Sequence, residues 1–193
     1  MRKKLAALPI FLAAFFILAI SVVRTASVKY VFSQEPSPAP VNFEELNIDY
    51  SLPEPGLAPD NIFWLVQAVI DMGESSPESY LENADVRLVA GKQMFENGKI
   101  EEAVAVLEKA ELYLKQSYDE VVSQEGSPER NEFLYTLSLA SLKHREILET
   151  ILVHAPEDGR AVIARILDTP KIVYENSASE LVSLGLSVPK YPF

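Results

Sequence analysis

The chain is poor in the residues that carry most catalytic and metal chemistry. It has no cysteine and only two histidines among 193 residues. The lack of cysteine excludes disulfides, thiol catalysis, cysteine-ligated zinc, iron–sulfur clusters and lipid attachment to a cysteine after a leader. The sequence also has no glycine-rich phosphate loop, nucleophile elbow or HExxH pattern. We therefore predict no cofactor, no bound metal and no enzymatic activity, and keep an enzyme only as a remote alternative.

Positive charge is scarce as well. The chain has 17 lysines and arginines against 28 aspartates and glutamates, a formal net charge of −11. A nucleic-acid surface needs a basic patch, so this balance argues against binding to DNA or RNA. Five of the cations precede Tyr30, and no acid precedes Glu35. Residues 30–193 contain the other 12 cations and all 28 acids, so that part has a net charge of −16.

The N-terminus has the pattern of a membrane segment. Arg2, Lys3 and Lys4 precede 19 uncharged positions, residues 5–23. A helix of that length rises about 28 Å, enough for one hydrocarbon core, and the basic residues favour the cytoplasmic side. We predict that residues 1–29 are a retained single-pass anchor in the cell membrane. It would contact the lipid bilayer through residues 5–23 and leave the C-terminal domain extracytoplasmic. The alternative is a cleaved signal peptide and a secreted domain, although apolar runs of signals are usually about 7–15 residues long.

Proline dominates the next segment, residues 30–59. Six prolines lie within residues 34–60, and because proline fixes φ and lacks a donor, this stretch cannot join a helix or a central strand. We predict an extended, solvent-exposed linker. Its end is a more specific proline–glycine motif, in which Gly56 suits a type II turn and Asp60 can cap an apolar helix. The motif comprises Tyr50, Leu52, Pro53, Pro55, Gly56, Pro59, Asp60 and Trp64.

Residues 60–185 are predicted to form an α-helical domain, followed by a frayed tail over residues 186–193. No segment shows the sustained alternation of a strand, whereas apolar residues recur at helical spacing. The predicted fold class is therefore all-α, an extracytoplasmic bundle of five to six helices behind an N-terminal transmembrane helix and a proline-rich linker. The helices are expected from Asn61, from Ser76-Pro77 to Asn97-Gly98, from Lys99 to Gly126, over 128–154, from Pro156 with a kink or break at Thr169-Pro170, and a last short one from Ser177.

The second and third of these helices resemble one tetratricopeptide repeat. A plain helical hairpin is the favoured interpretation, because the final proline of the motif is replaced by Lys115 and solenoids need about three repeats. The alternative is a receptor that binds a peptide or partner in a groove of this hairpin. The residues that match the repeat are Gly91, Gly98, Ala103, Ala110 and Leu107. The residues of the candidate groove are Leu88, Gly91, Phe95, Ala103 and Leu107.

A wider pattern extends over about residues 50–182. The anchor and linker lead into the proline–glycine motif, then into a helix containing residues 84–88 (Ala-Asp-Val-Arg-Leu), a turn at Gly98 and a helix that ends in residues 154–157 (His-Ala-Pro-Glu). This order resembles a bacterial extracytoplasmic family known as domain-of-unknown-function family 5667. The resemblance implies an architecture and a location, and it implies no reaction.

The polar residues of the helices are assigned to the bundle surface. His144 has no histidine or carboxylate at a spacing that would complete a helical zinc motif, so we expect it to pack at the rim of the bundle. Glu111 is placed among the charges that cover the outside of its helix. His154 lies at a helix end, where a cation complements the dipole. The sequence thus predicts a membrane-anchored extracytoplasmic protein with a structural or protein-interaction role in the bacterial envelope, and another envelope protein is its candidate partner.

Overall fold

All regular secondary structure in the described part of the chain is helical. A computed structural model describes residues 48–54, 76–124 and 128–190, and these residues form four helices and no strand. The all-α prediction is therefore confirmed for them, although the number of helices is four and not five to six. The membrane segment predicted at 5–23 and the apolar helix predicted from Asn61 lie outside the described residues. The helices are α1 (Pro77–Glu96), α2 (Ile100–Ser123), α3 (Pro128–His154) and α4 (Glu157–Ser183).

The helices pack as two hairpins. α1 packs along α2, and α3 packs along α4. Contacts of α2 with α4, and smaller ones of α3 with α1 and α2, join the two hairpins. None of the four helices is both long and apolar enough to cross a bilayer.

Local capping signals set the limits of α1. Ser76 is its N-cap, and the side chains of Ser76 and Ser79 each accept a hydrogen bond from the other's backbone N–H at 3.1 Å. Pro77 occupies the first turn, where its missing N–H costs nothing. Gly98 ends the helix with a φ of 78°, a left-handed conformation that glycine adopts without strain. The predicted start and stop of this helix are confirmed.

α4 has no break at Thr169-Pro170, where the sequence predicts a kink or a break. The helix continues through Pro170, and Ser177 is a buried residue of the same helix instead of the cap of a new one. A proline inside a helix costs about 3 kcal/mol. Apolar residues are buried on both sides of it, Ile163 before and Leu181 after, so the packing of one continuous helix outweighs that cost.

Both ends of the described chain return to one apolar cluster. Tyr50 packs against this core cluster from residues 48–54, which we call the strap, and Val188 packs against it from the residues after α4. The hydroxyl of Tyr174 also donates to the carbonyl oxygen of Pro189 at 2.7 Å. Within the tail expected at residues 186–193, Val188 and Pro189 are therefore held against the helices, while residues 186, 187 and 190 are exposed. The core cluster comprises Leu81, Ala84, Leu114, Val121, Leu134, Leu137, Ala140, Val173 and Leu181.

The α1–α2 hairpin is closely packed at Gly91. A Cβ atom added to Gly91 would lie 2.7 Å from both Cγ and Cδ2 of Leu107. Leu107 is fully buried, as are Ala103 and Ala110 on the same helix. Small residues at these positions allow the two helix axes to approach.

Substitution of Gly91 by alanine should destabilise the fold. The new methyl group would overlap Leu107, and overpacking of this kind costs about 1–3 kcal/mol. An alanine inside a helix is otherwise favoured over glycine by about 1 kcal/mol. Chemical denaturation followed by circular dichroism should therefore show Gly91→Ala to be less stable than the wild type.

The variant Leu107→Ala supplies the matched background for this test. Once Leu107 is shortened, the added methyl group has room, so Gly91→Ala should be neutral or stabilising there. Equal effects of Gly91→Ala in the two backgrounds would contradict the close contact.

Candidate functional site

The residues of the candidate groove lie inside the α1–α2 hairpin. Leu88, Phe95 and Leu107 are at most 4% exposed, and Gly91 and Ala103 are buried as well. The four side chains and the glycine are therefore enclosed by the packing of the described helices. A groove at this place would require the hairpin to open.

The proline–glycine motif is only partly within the described residues. Tyr50, Leu52 and Pro53 belong to the strap and are each half-buried. The hydroxyl of Tyr50 donates to Oδ2 of Asp85 on α1 at 2.5 Å. One residue of the motif therefore attaches the strap to the bundle. The other motif residues, Pro55, Gly56, Pro59, Asp60 and Trp64, lie outside the described residues.

The hydrogen bond of Tyr50 leads to a buried network centred on His144. His144 on α3 is fully buried, Glu111 on α2 is 2% exposed and Asp85 on α1 is 6% exposed. Nε2 of His144 lies 2.9 Å from Oδ1 of Asp85, and Nδ1 lies 2.7 Å from Oε1 of Glu111. One imidazole ring therefore joins three helices through its two nitrogens.

This geometry requires one proton more than a neutral histidine carries. A neutral imidazole has a single N–H, and its other nitrogen is an acceptor. Both nitrogens of His144 face carboxylate oxygens, which can only accept when ionised. If the ring were neutral, its unprotonated nitrogen would face a carboxylate oxygen, and two hydrogen-bond acceptors would then lie opposite each other. The trio of Asp85, His144 and Glu111 is therefore expected to hold an imidazolium between two carboxylates.

The electrostatic environment of His144 agrees with a charged ring. Burial by itself lowers the pKa of His144, because it disfavours the charged form. The two carboxylates outweigh burial and raise the pKa of His144 to about 10. The largest of these effects is the charge of Glu111, followed by the hydrogen bonds to Asp85 and Glu111 and by the charge of Asp85. Burial, the charge of Asp85 and the hydrogen bond to it raise the pKa of Tyr50 above its ordinary value, so its hydroxyl remains a donor.

The arrangement fits an internal ion network and does not fit a metal centre. Asp85 and Glu111 contact different nitrogens of one ring, so the three side chains do not converge on a common point. No other group of three histidine, aspartate or glutamate side chains in the described helices could hold a metal ion either. Oε2 of Glu111 is buried and makes no hydrogen bond within the described part of the chain.

Three further charged side chains, Arg87, Lys143 and Glu146, are buried in the described helices. The guanidinium of Arg87 lies 4.4 Å from the ring centre of Tyr113 and donates to the side-chain oxygen of Asn83 at 2.6 Å. This placement combines a cation–π contact with a hydrogen bond. On α3, Nζ of Lys143 lies 3.0 Å from a carboxylate oxygen of Glu146, which is almost fully buried.

Sequence reasoning missed this network. It placed His144 at the rim of the bundle and Glu111 on the outside of α2, whereas both are buried. The three residues are far apart in the chain, so no local spacing connects them. The position of Glu111 could have indicated that it is buried. Leu107 lies four residues before it and Leu114 three residues after it, so all three share the buried face of α2.

His154 is used locally at the end of α3. It is exposed, and its Nδ1 lies 2.8 Å from the carbonyl oxygen of Thr150, one turn earlier. The histidine thus makes a hydrogen bond within the last turn of α3, in line with the predicted position at a helix end.

Comparison of the chain with protein-family models, with curated proteins and with solved structures found no match. The interpretation of the site therefore depends on its geometry and on the sequence.

Replacement of His144 by leucine should be strongly destabilising near pH 7. The change leaves Asp85 and Glu111 buried without the cation between them, and removal of one partner of a buried ion pair costs about 3–5 kcal/mol. Denaturant unfolding of the variant gives this loss directly. The matched control is His154→Leu, an exposed position where a change within about 0.5 kcal/mol is expected. Similar losses for the two variants would contradict a special role of His144.

Alkaline pH should weaken the fold through the same residue. The pKa of His144 is about 10 in the folded chain and 6.5 without its partners. The stabilisation is therefore complete below pH 6.5, decreases as the pH rises towards 10 and is lost above that value. Free energies of unfolding measured at several pH values should show the gap between the wild type and His144→Leu shrinking over this range. A constant gap would exclude proton binding by the trio.

Proposed function

We propose that the protein is a membrane-anchored extracytoplasmic helical module with a structural or protein-interaction role in the bacterial cell envelope. The observation that carries the proposal is the uncharged run at residues 5–23 directly behind Arg2, Lys3 and Lys4. The change in charge along the chain supports it, because the part after this run is strongly acidic. The resemblance to domain-of-unknown-function family 5667 is in keeping with the same location.

The interior of the bundle supports a non-catalytic role. Both nitrogens of the one buried histidine in the described residues are engaged with carboxylates. General acid–base catalysis requires such a group to reach a substrate proton. His144 is fully buried, so its chemistry is directed at the neighbouring helices. His144 and Tyr50 have strongly raised pKa values, and both use their polar atoms to contact neighbouring parts of the fold.

The alternative of a peptide or partner receptor has less support. It requires an accessible groove along α1 and α2, and the side chains proposed to line that groove are buried in the hairpin. An interaction role consequently favours the outer surface of the helices. Several large apolar side chains are exposed there, among them Leu112 on α2, Ile172 and Val182 on α4.

The location can be tested with reporters fused after Phe193. One reporter is a phosphatase that is active only outside the cytoplasm, and the other is a fluorescent protein that folds only inside it. We expect phosphatase activity without fluorescence, because the basic N-terminus retains residues 1–4 in the cytoplasm. The matched control is Ala14→Arg, which places a charge at the centre of the run. Such a charge costs about 2.5–3.5 kcal/mol of insertion free energy, so phosphatase activity should fall.

Fractionation of the cells that carry these fusions distinguishes a retained anchor from a cleaved signal peptide. A retained anchor gives a chain of full mass in the membrane fraction, and cleavage gives a shorter chain in the soluble fraction. Fluorescence without phosphatase activity, or a full-length chain free in the cytosol, would refute the proposed location.

A further inference from the structure

The strap is hydrogen-bonded to the helices through one side chain, that of Tyr50, while Leu52 and Pro53 are half-buried. Its backbone makes a local hydrogen bond from Tyr50 N–H to the carbonyl oxygen of Ile48 at 2.7 Å. In the ranges that the structure describes, its hydrogen bond to the helices is the one from the Tyr50 hydroxyl to Asp85. The ring of Tyr50 adds apolar contact with the core cluster. Departure of the strap therefore breaks the hydrogen bond from Tyr50 to Asp85, and it breaks no hydrogen bond within or between the described helices.

The residue beneath the strap is the outer member of the buried network. Oδ2 of Asp85 accepts from Tyr50, while Oδ1 of the same carboxylate contacts His144. Asp85 is 6% exposed with the strap in place, and His144 is fully buried behind it. Asp85 thus stands between the strap and the imidazolium.

Departure of the strap should cost little free energy, although it uncovers a buried polar site. The freed oxygen of Asp85 would be hydrated by water once Tyr50 has left, so the carboxylate is not left without partners. Segments with few apolar contacts and few backbone hydrogen bonds open with small free energies, well below that of global unfolding. The contacts of α1, α2 and α3 with one another do not involve the strap.

We propose that the strap is a lid over the His144 network, which opens and closes while the four helices stay folded. Each opening admits water to Asp85 and, through it, to the imidazole ring. The strap precedes all four helices in the chain. A pull transmitted along the backbone from the N-terminal side therefore reaches Tyr50 before it reaches α1, so tension on that side opens the lid first.

Deuterium exchange at the C2 position of the imidazole rings tests the lid in the full-length chain in detergent. The chain has only two histidines, and the exposed His154 serves as an internal reference. In the wild type we expect His144 to exchange at least about tenfold more slowly than His154. The backbone amides of residues 49–52 should exchange before those of α1.

Substitution Tyr50→Phe removes the hydroxyl and keeps the ring. Loss of one hydrogen bond to a charged group should accelerate exchange at His144 by about tenfold. Amide protection in α3 and α4 should stay unchanged. The matched control is Tyr118→Phe, because Tyr118 packs against the same core cluster from α2. It should leave exchange at His144 within about twofold of the wild type.

Three results would overturn the proposal. In the first, Tyr50→Phe leaves exchange at His144 unchanged. In the second, α3 and α4 lose protection by the same factor as His144, which indicates general unfolding. In the third, which needs no variant, the strap amides of the wild type exchange in step with those of α1.

Discussion

An imidazolium cannot be buried alone, and the packing of this bundle depends on that constraint. His144 needs a carboxylate on each ring nitrogen, and these are supplied by different helices. A buried ion pair gains little over apolar residues of similar size, but a helix that shifts or rotates out of place leaves a charge without its partner. We therefore interpret the network as selecting one arrangement of α1, α2 and α3 from the many that apolar packing alone would allow.

Close packing and the ion network depend on each other. The glycine at position 91 lets α1 approach α2, and the carboxylates of Asp85 and Glu111 project from these two helices to opposite sides of the same ring. An imidazole is only a few ångströms wide, so a wider hairpin would place one carboxylate out of reach. The hairpin that looks like a binding repeat in the sequence is consequently used for internal packing.

Local features of this chain could be predicted from its sequence, and features that join distant residues could not. Ser76-Pro77 and Gly98 act through hydrogen bonds and dihedral angles within a few residues, so the limits of α1 followed directly. Pro170 misled the prediction, because its local cost is outweighed by burial elsewhere in α4. The partners of His144 lie 33 and 59 residues away in the chain, and one sequence gives no sign of such a pairing.

The return of the first and last described segments to one cluster has a consequence for how the molecule forms. Tyr50 and Val188 are 138 positions apart and pack against the same apolar residues. The entropy lost on closing a loop grows with its length. The net free energy of these two contacts is therefore most favourable once the intervening helices have shortened the distance between them. The helical hairpins can assemble through neighbouring segments, whereas the strap and the tail are suited to join last, on a surface that the finished bundle provides.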